Sequence, residues 1–154
     1  VGDIKQIFAD LKTYHDKGDK IKNYVLDAND GFNSLVRFEN GAIGTITNSR
    51  YATGHANSLI LEVFGTKGGL KVELDEERNK WSTLHICQNE NINKMSWEIV
   101  ECSKTPSNYQ NFIKSIQTNK NLQPDFNQGA KIQKIIDSCI KSNDNNSWID
   151  INKL

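Results

Sequence analysis

Through residue 100 the chain alternates apolar with polar residues; beyond it the apolar positions take up a helical spacing. Ile7, Ala9 and Leu11 alternate with more polar neighbours, so residues 4–14 read as a long half-buried strand. Runs near 32–38, 42–49, 58–64, 70–74, 82–87 and 96–100 read as further strands, mostly hairpin-connected and therefore antiparallel. Asn40-Gly41 predicts a type I′ turn, because both central residues of that turn need φ > 0 and this pair tolerates it best. Gly65-Thr66-Lys67-Gly68-Gly69 supplies a second hairpin turn, and residues 16–19 a polar one. Later, Tyr109, Phe112, Ile113 and Ile116 form one apolar stripe ahead of Asn119, with Thr105 as N-cap and Pro106 at the first helical position. A second helix begins after Pro124, around 125–127, and runs to about 142. Trp148, Ile149 and Ile151 read as a closing strand.

Strands first and helices last predict an α+β fold: a large, mostly antiparallel open-faced sheet with two C-terminal helices packed on one face. Two helices of roughly four turns cannot cover both faces of such a sheet, so the other face meets solvent or a partner. Within 58–64, Leu59, Leu61 and Val63 point one way; Ser58, Ile60, Glu62 and Phe64 point the other, which makes the opposite face mixed rather than purely polar.

Composition narrows the class. A chain of 154 residues has room for one domain with a core, although its hydrophobic fraction is only 36% and its mean hydropathy −0.62. Nineteen basic and nineteen acidic residues cancel, leaving no electrostatic footprint for nucleic acid or an anionic membrane. No apolar run approaches the roughly 20 residues that span a bilayer, and no signal-peptide pattern opens the chain, which suits a soluble intracellular protein. Cys87, Cys102 and Cys139 are odd in number and widely spaced, without a C-x-x-C pair, so they read as free thiols and not as a disulfide framework or a zinc site. Cys139 falls among Ile132, Ile135, Ile136 and Ile140 at the spacing of a buried helical face, as a small core residue would.

Candidate chemistry concentrates in Ser49-Arg50-Tyr51-Ala52-Thr53-Gly54-His55-Ala56-Asn57. Arg50 can offer a guanidinium fork to a carboxylate, a phosphate or vicinal hydroxyls, or form a surface ion pair, for instance with Glu62. Tyr51 presents an apolar ring face and a hydroxyl to a sugar, or pairs with an aromatic neighbour on a strand edge. His55 can bond a substrate hydroxyl or remain a solvated loop residue, and Asn57 can bond substrate or satisfy local backbone. His15 and His85 receive no role, and Trp81, Trp97 and Trp148 are dispersed in the manner of packing residues. The glycines of 65–69 fit neither G-x-G-x-x-G nor G-x-x-x-x-G-K-[ST], and no helix follows them to aim its N-terminus at a phosphate.

The hairpin RFENGAIGTI (37–46), SRYATGHAN (49–57), LEVFGTKGGLKVEL (61–74) and the tail from Asn111 to Ile151 together resemble the C-terminal domain of the glucose-fructose oxidoreductase / inositol dehydrogenase (Gfo/Idh/MocA) family of NAD(P)-dependent oxidoreductases. That resemblance implies the open-faced fold shared with the C-terminal domain of glyceraldehyde-3-phosphate dehydrogenase. It makes residues 1–154 a single substrate-binding and oligomerisation domain, with the dinucleotide-binding domain absent from this chain. It also implies hydride transfer to or from a sugar, cyclitol or related polyol, and NAD or NADP in the full-length protein but none bound here. Homo-oligomerisation through the open sheet face follows from the same resemblance, while the expected cytoplasmic location rests on the composition and the free thiols. Arg50, Tyr51, His55 and Asn57 become substrate-binding candidates, while no residue of the chain takes a catalytic, cofactor-binding or metal-ligating role. The family's Asp-x-x-x-His motif would fall just before Val1, so the chain resembles a fragment, inactive by itself. A non-catalytic oligomerisation or ligand-sensing module derived from the family is the alternative.

Overall fold

In the computed structural model the elements run β1 (Ile4–Lys12), β2 (Lys20–Ile21), β3 (Tyr24–Val25), β4 (Gly31–Phe38), β5 (Ile43–Ser49), β6 (Ser58–Gly65), β7 (Gly68–Asp75) and β8 (Lys80–Cys87). Then come α1 (Glu90–Lys94), β9 (Glu98–Val100), α2 (Asn108–Thr118), α3 (Phe126–Asn145), β10 (Ile149–Asp150) and a 3-10 turn (Ile151–Lys153). The structure describes residues 1–14, 20–25, 27–75 and 80–153; His15, the turn expected at 16–19 and the Trp81 side chain lie outside the described residues. The fold is α+β, with antiparallel strands and few helices, as the change of period predicts. Its strands are shared between two four-stranded sheets, ordered β10-β1-β4-β5 and β6-β7-β8-β9, and a two-stranded ribbon of β2 and β3. β5 and β6 are each an edge of their own sheet because residues 50–57 between them form turns instead of continuing a ladder. The chain divides accordingly into two units, residues 1–51 with 106–154, and residues 52–105.

The first unit is built on β1. Ile7 and Ala9 stand opposite Val36 and Ser34 of β4, and the inward face they share packs on α3. Ile7, Ala9, Val36, Cys139 and Ile151 are buried together, flanked by Ile4, Leu11, Phe38, Ile135 and Ile149. Burial pushes the Cys139 thiol pKa up, consistent with an inert core residue. The strand β10 pairs only with Gln6 and Ile7, which leaves the next edge amides of β1 without a strand partner. Helix α3 takes them over: Ala9 N–H donates to Ser142 Oγ at 2.9 Å and Leu11 N–H to Asn143 Oδ1 at 2.9 Å. On the helix-free face, Trp148 packs against Phe8 at 5.9 Å between ring centroids, and the Arg37 guanidinium lies 4.2 Å from the indole centroid.

Local chemistry departs from expectation at two places. Gly41 has φ +87° but Asn40 has no positive φ, so the β4–β5 connection is a three-residue loop ending in a left-handed glycine and not a type I′ turn. Phe38 N–H donates to Ala42 O at 2.9 Å and Gly41 N–H to Phe38 O at 3.0 Å; the Asn40 side chain accepts from Ala42 N–H and donates to Val1 O. The α2 N-cap is Ser107, not Thr105: its Oγ accepts Gln110 N–H while the Gln110 side chain accepts the Ser107 amide, and this reciprocal pair fixes the first turn past Pro106. The second helix starts within the expected 125–127, with Asp125 as its N-cap. Helix α3 does the covering of the sheet, whereas α2 buries none of its residues and leaves Tyr109, Phe112, Ile113 and Ile116 exposed.

In the second unit, β6 pairs with β7 so that Leu59, Leu61 and Val63 oppose Leu74, Val72 and Leu70, giving one apolar face continued by Leu84, Ile86 and Val100. The other face carries Ile60, Phe64 and Ile99 together with a charged cluster. There Lys71 Nζ lies 2.7 Å from Glu73 and 3.9 Å from Glu62, and His85 Nε2 lies 3.4 Å from Glu73. The bond to Glu73 holds the Lys71 ammonium above the usual lysine value. Residues 65–69 are the predicted hairpin turn: Gly65 pairs with Gly68, and a Cβ on Gly68 would collide with the Cys87 carbonyl oxygen. Trp97 packs on Gly69, where an added Cβ would come within 2.9 Å of the indole. The one helix among this unit's described residues, α1, has five residues and is too short to cover eight-residue strands.

Candidate functional site

Arg50 and Tyr51 follow β5 directly and belong to the first unit. Arg50 N–H donates to Asp30 O at 2.7 Å, which ties the turn back to the start of β4. Tyr51 N–H donates to Ser49 Oγ at 3.1 Å. The Tyr51 ring meets the Tyr14 ring edge-to-face, with centroids 5.5 Å apart and an interplanar angle of 79°. The Arg50 side chain is exposed and makes no ion pair among the described residues; Glu62, its suggested partner, faces Lys71 instead.

His55 and Asn57 belong to the second unit. His55 N–H donates to Ala52 O at 3.0 Å, closing a turn whose third residue, Gly54, has φ +88°. An L side chain at that φ would be strained, so the glycine sets the path of the segment. Asn57 is exposed and immediately precedes β6. The structure therefore brings together Arg50 and Tyr51 in one unit, and His55 and Asn57 in the other, on consecutive turns of one connection.

Two residues that sequence reasoning missed contact the first half of this connection. Asp30 is only 2% exposed, and its Oδ2 accepts Tyr14 N–H at 2.8 Å. Tyr14, the second ring of the aromatic pair, closes the segment after β1. An Asp-Gly step at the mouth of a strand reads from sequence as an ordinary turn, and nothing local marks Tyr14 as a neighbour of Tyr51.

Cavities lie elsewhere. In the first unit a hollow of about 500 Å³ runs between α2 and the start of α3, lined by Phe112, Ile116, Leu122, Phe126 and Ile132 among others. In the second, hollows of about 380 and 310 Å³ flank the 65–69 turn. None of the four candidate residues lines these three cavities. No group of three or more His, Cys, Asp or Glu residues that could hold a metal ion occurs among the described residues. The glycine-rich stretch 65–69 does not have the form of a dinucleotide-binding turn, since it serves close strand approach within a hairpin and leads into β7, not into a helix N-terminus. No helix among the described residues is long and apolar enough to cross a membrane.

The sequence profile of a family described as "Oxidoreductase family, C-terminal alpha/beta domain" (GFO_IDH_MocA_C) matches residues 5–151. Levoglucosan dehydrogenase from Pseudarthrobacter phenanthrenivorans is 23% identical over 144 residues, covering 82% of this chain and 37% of the relative. Among solved structures, levoglucosan dehydrogenase in complex with NADH and levoglucosan superposes with a TM-score of 0.78 at 22% identity, over 97% of this chain and 45% of that one. The WlbA dehydrogenase from Bordetella pertussis, in complex with NADH and UDP-GlcNAcA, gives a TM-score of 0.67 at 18% identity, over 97% and 40%. The chain thus spans less than half the length of these relatives.

Proposed function

Because the chain belongs to the Gfo/Idh/MocA oxidoreductase family, as its C-terminal alpha/beta domain, we propose that it is the substrate-binding and oligomerisation domain of an NAD(P)-dependent oxidoreductase acting by hydride transfer on a sugar, cyclitol or related polyol. The observation that carries this reading is the connection 50–57. Its backbone is fixed by hydrogen bonds at Arg50, Tyr51 and His55, while the Arg50, Tyr51, His55 and Asn57 side chains are exposed. Fixed backbone with exposed polar side chains suits orienting a polyhydroxylated ligand, and relatives of this fold bind levoglucosan and a sugar nucleotide. The nicotinamide cofactor would be held by a part of the protein other than these residues, and the 154-residue chain alone would be inactive. Its contribution is then to bind and orient the substrate, with its exposed sheet face joining subunits.

Kinetics of the complete protein test this. Arg50→Ala, Tyr51→Phe and His55→Ala should each lower kcat/KM for the sugar while nucleotide affinity stays unchanged. One hydrogen bond to a neutral group is worth about 0.5–1.5 kcal/mol, or roughly two- to tenfold per substitution. Three normally folded variants with wild-type kinetics would remove the segment from the substrate site. A complete protein with no dehydrogenase activity would favour the non-catalytic module.

A further inference from the structure

We propose that Asp30 is a positioning residue for the active enzyme: its buried carboxylate holds the chain beyond β1 in the place that seats Arg50 and Tyr51, and it touches no ligand itself. This rests on the reading of 50–57 as a substrate wall and adds the residue on which the first half of that wall depends. Asp30 is the only buried charged residue among the described residues. Aspartate is rarely buried unless its oxygens are bonded, because taking a carboxylate out of water is costly. A turn that merely reversed the chain would be served as well by an exposed residue.

Three chain segments meet at this one residue. Asp30 N–H donates to Lys12 O at 2.8 Å, and Asp30 O accepts Arg50 N–H at 2.7 Å. These bonds carry the ladders of β4 one step beyond the pairs Lys12–Gly31 and Gly31–Ser49, and any residue could make them. The carboxylate bond is specific to aspartate's reach: Oδ2 accepts Tyr14 N–H at 2.8 Å, which fixes the chain two residues past the end of β1. The Tyr14 ring then lies beside Gly31, where a Cβ would stand 3.5 Å from it, and meets the Tyr51 ring edge-to-face.

The route of influence runs from the carboxylate to the Tyr14 backbone, to the Tyr14 ring and on to Tyr51. Arg50 is tied by its own amide to the Asp30 carbonyl, so both residues of the wall shift when Asp30 shifts. Nothing else among the described residues anchors the exposed Arg50 side chain through an ion pair. Alanine at position 30 leaves Tyr14 N–H without this acceptor and loosens the 50–51 turn from one side. Misplacing a substrate-orienting group by about 1 Å can cost on the order of a hundredfold in rate.

Steady-state kinetics of the complete protein test this, with NAD+ or NADP+ as oxidant and whichever of levoglucosan, glucose and myo-inositol gives the highest kcat/KM. Asp30→Ala should lower kcat/KM roughly five- to thirtyfold with nucleotide affinity unchanged. Asp30→Asn, whose amide oxygen can still accept Tyr14 N–H, should stay within about twofold of wild type. Because Asp30 acts through the wall, the double variant with Arg50→Ala should fall no more than about twofold below the worse single variant, whereas independent effects multiply. Tyr14→Leu breaks the same route with the carboxylate–amide bond intact, and should show the same loss and the same coupling, also where Asp30→Ala does not fold.

Wild-type kinetics of Asp30→Ala and Tyr14→Leu, multiplicative losses with Arg50→Ala, or no recovery in Asp30→Asn at a wild-type melting temperature each overturns the positioning role alone. Wild-type kinetics of Arg50→Ala and Tyr51→Phe overturns the wall, and no turnover of any of the three compounds overturns the redox reading; either result takes the positioning role with it.

Discussion

Replacing Ser142 by alanine isolates the contact that joins α3 to the sheet. Ser142 is fully buried; its Oγ accepts Ala9 N–H at 2.9 Å and donates to Ser147 O at 2.7 Å. Ser142→Ala strands both groups. An unmet buried donor or acceptor costs about 1–3 kcal/mol, alanine's better helix propensity returns about 0.5 kcal/mol, and the Ser147 carbonyl lies on a loop that can relax towards water. The expected net loss is about 2–3 kcal/mol, or a fall in melting temperature of roughly 4–12 °C for a chain of this length. Ser138 is the control, because it is equally buried but its Oγ donates only to Lys134 O at 2.6 Å, a carbonyl already within reach of the helix's own ladder. Ser138→Ala should therefore shift the melting temperature by about 2 °C or less. Thermal unfolding by circular dichroism measures both, and hydrogen exchange should show the Ala9 amide losing protection only in Ser142→Ala. Equal shifts in the two variants, or an Ala9 amide still protected, would refute the assignment of the contact.

The Asp125 carboxyl lies below the ordinary aspartate value, chiefly because it accepts the Gln128 amide. Its stabilisation of α3 is therefore complete above the unfolded pKa and fades as pH falls through the lower folded one. Asp125→Asn should match wild type near neutrality and lose less stability on acidification; parallel pH–melting curves would contradict this. Ile60 and Phe64, 59% and 71% exposed on one face of the second sheet, are expected to support self-association, so light scattering should show a dimer or larger assembly that Ile60→Lys weakens. A strictly monomeric wild type would count against the oligomerisation role.

Much of the fold is legible because strand alternation is local. The strands expected near 4–14, 32–38, 42–49, 58–64 and 70–74 correspond to β1, β4, β5, β6 and β7, with ends displaced by a few residues. What sequence does not carry is which edges pair across long separations, so the division into two sheets is invisible in it. The ribbon of β2 and β3 and the five-residue α1 are too short to display a period. The Asn40 turn illustrates a different limit: an Asn-Gly pair suits a two-residue loop, but a third loop residue and two Asn40 side-chain bonds stabilise another geometry. The Ser107-x-x-Gln110 capping box was readable as a helix start and competed with a Thr-Pro signal two residues earlier. Helical spacing in α2 correctly marks an amphipathic helix, but amphipathicity names no partner, and its stripe remains in solvent among the described residues.

The candidate site divides along the same line. Residues 50–57 stand out in one dimension, because polar and ring-bearing side chains around a glycine are a poor recipe for a core. Their supports do not stand out, since a buried carboxylate at Asp30 and a ring at Tyr14 acquire meaning only when β1, β4 and β5 align their ends. The strand register supplies that meaning: Lys12 opposite Gly31, and Gly31 opposite Ser49, bring the residues just beyond each strand end to one edge of the sheet. Register in turn follows from the burial of Ile7, Ala9 and Val36 against α3, because a shift of one residue would turn those side chains out to solvent. The apolar residues that specify the sheet thus also fix which polar residues can meet at its end. Substitutions at Ser142 or Val36 should consequently perturb the Tyr14–Tyr51 contact without touching it.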